Sequence, residues 1–168
     1  MNLKQALIDG FILGFVFNFG VLLSMRIKPR GMLHMLPDYF RKGTIPPTKE
    51  ETKSYYKFFI PLIFLMAIIM FYRGVKIYDG TNPGFFALFI HGYIIAMFMN
   101  VGDAVFLDMI EIHTRRDFYE KAWGIPRERL HAKNFFKHLT FKEHVLIWPL
   151  VFCPIIGCFY AFVLGLLI

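Results

Sequence analysis

Four apolar stretches, each long enough to cross a lipid bilayer, constrain this chain more than any other feature. They cover residues 3–25, 58–78, 85–112 and 143–167, and a transmembrane helix needs about 20 consecutive apolar residues. A chain of 168 residues has little room outside these stretches. We therefore predict an all-α polytopic membrane protein, in which four transmembrane helices form a bundle and residues 1–168 form a single domain.

The positive charges lie between the apolar stretches and indicate an orientation. Segments 26–57 and 115–142 carry eight Lys and Arg residues each, whereas the short segment 79–84 carries none. Positively charged loops tend to stay on the cytoplasmic side of a membrane. The sequence thus predicts that both long segments are cytoplasmic and that both termini lie outside, in a bacterial-type plasma membrane.

The net charge of +7 does not indicate a nucleic-acid-binding protein. The basic residues are not accompanied by a recognised nucleic-acid fold motif. Hydrophobic residues make up 57% of the chain, which exceeds the roughly 45–50% of a typical soluble domain. The expected partner is the lipid bilayer, with a second copy of the chain or another membrane subunit as further candidates.

The third apolar stretch contains acidic residues at positions where they are costly. Asp103 and Asp108 lie inside it, Glu111 lies near its end, and Asn100 adds an amide. A charged side chain in a transmembrane helix costs about 2.5 kcal/mol or more, so such residues usually mark a site. On an ideal α-helix the four side chains fall within an arc of about 140°. We predict a candidate polar site at the cytoplasmic end of this helix, with Asp103 as its most deeply placed acid.

Ion pairing is the simplest interpretation of these acids. Arg26, Lys28 and Arg30 follow the first apolar stretch and reach the same membrane face. They are the expected partners of Asp103 and Asp108, and Arg26 is the favoured partner of Asp103. Such pairs would orient the helices and have no further role.

Two functional interpretations stand beside ion pairing. Asp103 and Asp108, together with His34 or His113, have the ligand types that bind a divalent cation. Alternatively, Asp103 carries a proton, because removal from water disfavours the charged form of a carboxyl group. The sequence leaves the metal, the cofactor and the catalytic residues undetermined.

Several polar and small residues in the spans predict contacts between helices. Asn18 and His91 lie within apolar stretches and are expected to bond to a neighbouring helix. Gly10 and Gly14 form a GxxxG pair, which is typical of close helix packing. Each of these features predicts structure rather than activity.

Two Thr–Glu pairs have the spacing of a helix-capping box. Thr48 and Glu51 predict the start of a helix that leads into the second span. Thr140 and Glu143 predict that the fourth helix begins there.

The spacing Asn100-x-x-Asp103-x-x-x-x-Asp108 inside a span resembles the signature of a family of small, uncharacterised bacterial integral membrane proteins. The resemblance extends to segments 33–37 and 124–126 and covers most of the chain. It implies four transmembrane helices and marks these three residues as the family's polar positions. It implies no activity.

Two functions remain open from the sequence. The favoured one is a small transporter-like protein or an assembly subunit with a carboxylate site on the third helix. The alternative is a membrane enzyme that acts on a lipid-linked substrate at the cytoplasmic interface, with Asp108 and Glu111 as metal ligands or general acid and base. No catalytic motif is present in the sequence, which favours the first without deciding whether the protein is an enzyme.

Overall fold

A computed structural model describes residues 2–168 of the chain. Its described part is all-α, and four helices in it are long and apolar enough to cross a membrane. They are α1 (Leu3–Ile27), α2 (Lys49–Tyr78), α3 (Phe85–Thr114) and α4 (Ala132–Leu167). The predicted fold class, a bundle of four membrane-spanning helices, is confirmed.

The start of α2 is the one that the capping pattern predicts. The hydroxyl of Thr48 accepts a hydrogen bond from the backbone N–H of Glu51 at 3.1 Å, and the Glu51 carboxylate accepts one from the Thr48 backbone at 2.7 Å. This reciprocal pair satisfies two backbone donors that a helix start leaves free. Helix α2 therefore begins before the second apolar stretch and continues through it into the bundle.

The predicted start of the fourth helix at Thr140 is wrong. Helix α4 already begins at Ala132, so that Thr140 lies inside it. The Thr140 hydroxyl donates to Asp108 on α3 and does not cap a helix. A Thr and a Glu three residues apart occur both at helix starts and inside helices. For Thr140, only the packing of α4 on α3 shows that the pair lies inside a helix.

Helices α1 and α3 run in the same direction and pack closely. Three polar contacts join them at nearly constant sequence separation, 82 residues for Asp9 with His91, 81 for Asn18 with Met99 and 85 for Arg26 with Glu111. Such a constant offset is the register of two parallel helices. The predicted bond from Asn18 to a neighbouring helix is confirmed, because its amide donates to the Met99 carbonyl at 3.2 Å.

The GxxxG pair of α1 makes this close approach possible. A Cβ at Gly14 would lie 3.1 Å from the backbone of Phe98, and a Cβ at Gly10 would meet the Phe98 ring. Any larger side chain at these two positions would separate α1 from α3. The predicted close packing is confirmed.

Within the described residues, α3 and α4 each change from α-helical to π-helical geometry. The wider turns cover Asp103–Glu111 in α3 and Phe136–Phe152 in α4. A π-helix forms i→i+5 hydrogen bonds and frequently occurs at functional sites. These two segments face each other at the end of the bundle that carries the basic loops.

The two basic segments fold into a structure that we call the basic cap. It contains the short helices Pro29–Met32, Asp38–Arg41 and Arg116–Trp123. Its apolar centre includes Phe40 and Phe135, whose rings stack at 4.2 Å. The Trp123 indole donates to the Pro29 carbonyl at 2.7 Å and joins the two segments. The cap thus covers the end of the bundle where the π-helical segments lie.

Candidate functional site

The structure brings three of the four predicted site residues together and adds two from α4. Asn100, Asp103 and Asp108 of α3 meet Thr140 and His144 of α4, and we call these five residues the His144 cluster. Sequence analysis missed His144. His144 lies at the start of the fourth apolar stretch, which could have drawn attention to it. Its contact with the acids, however, depends on how α4 packs against α3.

The bonds between Asn100 and His144 define the proton on one ring nitrogen. The Asn100 amide nitrogen donates to the backbone carbonyl of His144 at 2.9 Å. Its amide oxygen therefore faces Nδ1 of the His144 ring, at 2.7 Å. An amide oxygen only accepts hydrogen bonds. Nδ1 of His144 must therefore carry a hydrogen.

The other ring nitrogen of His144 faces two carboxylates. Its Nε2 lies 3.3 Å from Oδ2 of Asp108 and 4.0 Å from Oδ2 of Asp103. The Thr140 hydroxyl donates to the same Asp108 oxygen at 3.2 Å. A lone pair on Nε2 would repel a carboxylate at this distance. The contact is favourable only with a proton between the two groups, bound either to Nε2 or to a carboxyl oxygen.

The π-helical geometry explains why both acids reach the same histidine. On an ideal α-helix Asp103 and Asp108 would point about 140° apart. In a π-helix the hydrogen bonds run i→i+5, so residues that are four or five positions apart lie on the same face of the helix. Asp103 and Asp108 are five apart in one π-helical segment, and Thr140 and His144 are four apart in the other.

The His144 cluster is buried and has few positive charges. The exposed fraction of the side chain is 9% for Asp108, 4% for His144 and 21% for Asp103. Glu143 adds a third carboxylate nearby. Within residues 2–168, neither Asp103 nor Asp108 has a Lys or Arg ion-pair partner. The cluster therefore carries more negative than positive charge unless protons neutralise it.

Glu111, the fourth predicted residue, belongs to a different set of contacts. Arg26 binds it through two hydrogen bonds, Nε to Oε1 at 3.0 Å and Nη2 to Oε2 at 2.8 Å. The Tyr119 hydroxyl donates to Oε1 at 3.1 Å. Burial, and the Glu111 carboxylate beside it, raise the pKa of Tyr119, so this hydroxyl keeps its proton. Glu111 is thus a structural anchor between the bundle and the basic cap.

The predicted ion pair between Arg26 and Asp103 is not formed. The register of α1 and α3 explains this, because it places Arg26 level with Glu111 and leaves Asp103 about two helical turns deeper. Arg30 binds Glu51 at 2.7 Å, also at the cap. Lys28 has no ion-pair partner among the residues that the structure describes. None of the three cations that were expected to neutralise Asp103 and Asp108 reaches them.

The histidines proposed for a divalent-cation site do not join the acids. His34 bonds to the Gly31 carbonyl and the Tyr56 hydroxyl, and His113 lies beside His131 in the cap. Residues 2–168 contain no group of three or more His, Cys, Asp or Glu side chains in an arrangement that could hold a metal ion. The arrangement at His144 is suited to holding a proton.

A second buried polar group lies at the opposite end of the bundle. It consists of Asp9, Arg73, Tyr78, His91 and Tyr160, and we call it the His91 cluster. The predicted bond from His91 to another helix is confirmed, since its ring binds Asp9 of α1 at 3.0 Å. The pairing of Asp9 with Arg73 was not predicted from the sequence.

The chain matches no protein-family model, no curated protein and no solved structure. The resemblance based on Asn100, Asp103 and Asp108 therefore stays a prediction. Function must be inferred from the geometry of the buried clusters.

Proposed function

We propose that this chain is a small transporter-like membrane protein, or a subunit of one, whose His144 cluster binds and releases a proton. One observation carries the proposal, namely that Nε2 of His144 faces Asp103 and Asp108 while Nδ1 is already bonded to Asn100. A group of this kind can hold a proton in one state and release it in another. The buried position at the end of the bundle makes the release depend on access to water.

Charge balance supports a proton as the ligand of this cluster. A buried carboxylate without a cationic partner is strongly unfavourable in a membrane protein. Asp103 and Asp108 have only His144 as a counter-charge, and Glu143 adds to the excess. Protonation is the simplest neutralisation, because among residues 2–168 no Lys or Arg side chain forms an ion pair with either carboxylate.

The apolar centre of the bundle supports a site that opens towards one side. Buried apolar side chains between the two clusters include Leu13, Phe17, Met66, Met70 and Ile95, and the buried Asn18 lies beside Met99, near the His144 cluster. Between His91 and Asn100, nine residues at about 1.5 Å each give roughly 13 Å of helix. This apolar band separates the two clusters, so each of them faces its own end of the bundle.

We also propose that the host membrane is a bacterial-type plasma membrane, with the basic cap in the cytoplasm and both termini outside. The Lys and Arg residues of the cap support this orientation. A cysteine at Asn82, in the short turn, should react with an impermeant thiol reagent added to intact cells. A cysteine at Thr48, in the cap, should react only after the cells are opened. The reverse pattern would invert the orientation.

The outward faces of the helices support the lipid bilayer as the main partner. Large apolar side chains are exposed along them, among them Phe11, Phe64, Phe106 and Phe162. Exposed surfaces of this kind are expected against lipid tails or against helices of another subunit, including a second copy of the chain.

The enzyme alternative is less well supported. It requires Asp108 and Glu111 to act at one site, but Asp108 binds Thr140 and His144 whereas Glu111 is held by Arg26 and Tyr119. Because its carboxylate accepts three hydrogen bonds, Glu111 is not free to act as a base.

Two measurements on the purified, reconstituted protein test the proposed function. Infrared difference spectra across a pH titration should show the carbonyl band of a protonated carboxyl group, and Asp103→Asn or Asp108→Asn should change that band. In liposomes with an internal pH dye and a potassium diffusion potential, the protein should speed proton entry over empty liposomes.

The matched control is Asp38→Asn, which removes a carboxylate that pairs with Arg41 on the exposed surface of the cap. It should leave both the carboxyl band and the proton entry unchanged. His144→Gln should abolish proton entry while the protein stays folded. Proton entry equal to that of empty liposomes would overturn the transporter proposal. The absence of both a titrating carboxyl band and a titrating His144 imidazole band would overturn the proton site itself.

A further inference from the structure

The His91 cluster contains side chains from all four long helices. Asp9 belongs to α1, Arg73 and Tyr78 to α2, His91 to α3 and Tyr160 to α4. The side chains of Asp9 and His91 are 1% and 0% exposed, and that of Arg73 is 29% exposed. The cluster lies at the end of the bundle that carries the short turn and both termini.

The charge state of this cluster follows from its contacts. Arg73 Nε donates to Oδ1 of Asp9 at 2.6 Å, so Asp9 is a carboxylate with a cationic partner. The Gln5 amide donates to the same oxygen at 3.1 Å. Nε2 of His91 lies 3.0 Å from Oδ2 of Asp9 and must donate its hydrogen to it. The negative charge of Asp9 and the positive charge of Arg73 cancel. With a neutral His91 ring, the cluster has no net charge.

The second nitrogen of His91 is bonded to a tyrosine. Nδ1 of His91 lies 2.9 Å from the Tyr78 hydroxyl. Since Nε2 already carries the hydrogen in the neutral ring, Nδ1 accepts from Tyr78. The Tyr78 hydroxyl also forms a hydrogen bond with the backbone of Asn2, near the N-terminus.

Tyr160 is the unexplained member of the cluster. Its side chain is fully buried, its ring lies 5.4 Å from the His91 ring, and its hydroxyl has no hydrogen-bond partner in residues 2–168. Tyr78 and Asp9 are close enough to Tyr160 to interact with it electrostatically. The Tyr160 hydroxyl packs closely against Gly74, because a Cβ at that glycine would lie only 2.6 Å from it. A buried hydroxyl without a partner is unfavourable.

We propose that the Tyr160 and Tyr78 hydroxyls bind a water molecule, and that this water makes His91 a second proton-exchange site. A buried water usually bonds to several polar groups that have no other partner, and Tyr160 supplies one such group. An incoming proton moves from the protonated water to the Tyr78 oxygen while Tyr78 transfers its own proton to Nδ1 of His91. The products are neutral water, neutral Tyr78 and an imidazolium ion beside the Asp9 carboxylate.

This site goes beyond the proposed function and does not depend on it. The apolar band separates His91 from His144, so each cluster exchanges protons with its own face of the bundle. The groups that face His91 are Asp9 from α1, Arg73 and Tyr78 from α2 and Tyr160 from α4.

Nitrogen-15 NMR of histidine-labelled protein in nanodiscs tests the inference directly. The His91 signals, assigned with His91→Gln, should show a hydrogen on Nε2 and none on Nδ1 at neutral pH, and hydrogens on both after acidification. Tyr160→Phe keeps the ring and removes only the hydroxyl. It should slow the exchange of the His91 ring hydrogen about tenfold, the effect of raising a barrier by about 1.4 kcal/mol.

The matched control is Tyr72→Phe, which removes a hydroxyl from the exposed side of α2. It should leave the exchange rate unchanged. An exchange rate in Tyr160→Phe equal to that of the parent would overturn the inference. A higher melting temperature in Tyr160→Phe would also overturn it, because a hydroxyl that binds no water destabilises the fold and its removal should help. The His144 signals are read in the same spectra, so failure at one cluster is distinguishable from failure at the other.

Discussion

The two buried clusters use the same pair of groups and differ in one charge. In each, a ring nitrogen of a histidine faces a carboxylate, His91 with Asp9 and His144 with Asp108. Asp9 also has Arg73, whereas within residues 2–168 Asp108 has no Lys or Arg partner. A proton added at His91 therefore creates a net charge, and a proton added at His144 removes one. The buried carboxylate is thus balanced by a cation in the first cluster and is not balanced by one in the second.

A second difference lies in the helix geometry. The residues of the His91 cluster lie on regular α-helices, and the register of parallel α1 and α3 brings Asp9 to His91. The His144 cluster lies on two π-helical segments, and the wider turns bring Asp103 and Asp108 to one histidine. A balanced ion pair thus occurs in regular helices, and the unbalanced cluster occurs where the helices are irregular.

The largest expected effect comes from removing the cation of the balanced cluster. Arg73→Gln leaves the Asp9 carboxylate buried without a charged partner, and breaking a buried pair in this way costs about 3–5 kcal/mol. Thermal unfolding in detergent should show a large fall in stability. Adding Asp9→Asn to Arg73→Gln should recover part of the loss, because it removes the unpaired charge. If Arg73→Gln unfolded like the parent, Asp9 and Arg73 would not form the pair described.

A smaller effect is expected at the anchor between the bundle and the cap. Arg26→Gln and Glu111→Gln should couple by about 0.5–3 kcal/mol, since the two residues are in direct contact. Arg26→Gln and Asp103→Asn should be additive, because these side chains do not touch. Unfolding of the three single and the two double variants measures both couplings. Strong coupling of Arg26 to Asp103 would restore the ion-pair interpretation that the register excludes.

Thr140→Val sharpens the comparison further, because it removes one hydrogen bond to Asp108 and keeps the side-chain shape. Hydrogen bonds between membrane helices contribute about 0.6 kcal/mol on average, so the loss of stability should be slight. The infrared carboxyl band should nevertheless shift, since Asp108 loses a donor. Thr114→Val is the matched control, because its hydroxyl donates to backbone carbonyls of its own helix. An unshifted band in Thr140→Val would argue that Asp108 is not the protonated group.

The smallest effect on stability is expected for Asp103→Asn. An amide resembles the protonated acid in shape and adds no charge, so the melting temperature should hold or rise slightly. Proton entry into liposomes should fall at the same time. A loss of stability as large as that of Arg73→Gln would show that Asp103 is part of an ion pair and would remove the distinction between the two clusters.

The sequence alone predicted much of the bundle, because each prediction rested on a local pattern. Apolar stretches of sufficient length indicated four helices, and the Thr48 capping box gave the start of α2. The Gly10 and Gly14 pair indicated close packing, and the buried Asn18 indicated a bond to a neighbouring helix. These features are the length of an apolar stretch, the capping residues at a helix start and the spacing of small residues. Each is local in the sequence, so it predicts structure without knowledge of the fold.

The partners of the buried charges were decided only by the tertiary structure. Asn100, Asp103 and Asp108 could be singled out as polar residues in a span, but their contact with His144 depends on the packing of α3 on α4. Likewise, the parallel register of α1 and α3 determines that Arg26 binds Glu111. A charge in an apolar stretch shows that a partner is needed, because an isolated charge in a membrane is unfavourable. Which residue becomes the partner depends on helix register and on local widening to π-helical turns, and neither has a reliable signal in a single sequence.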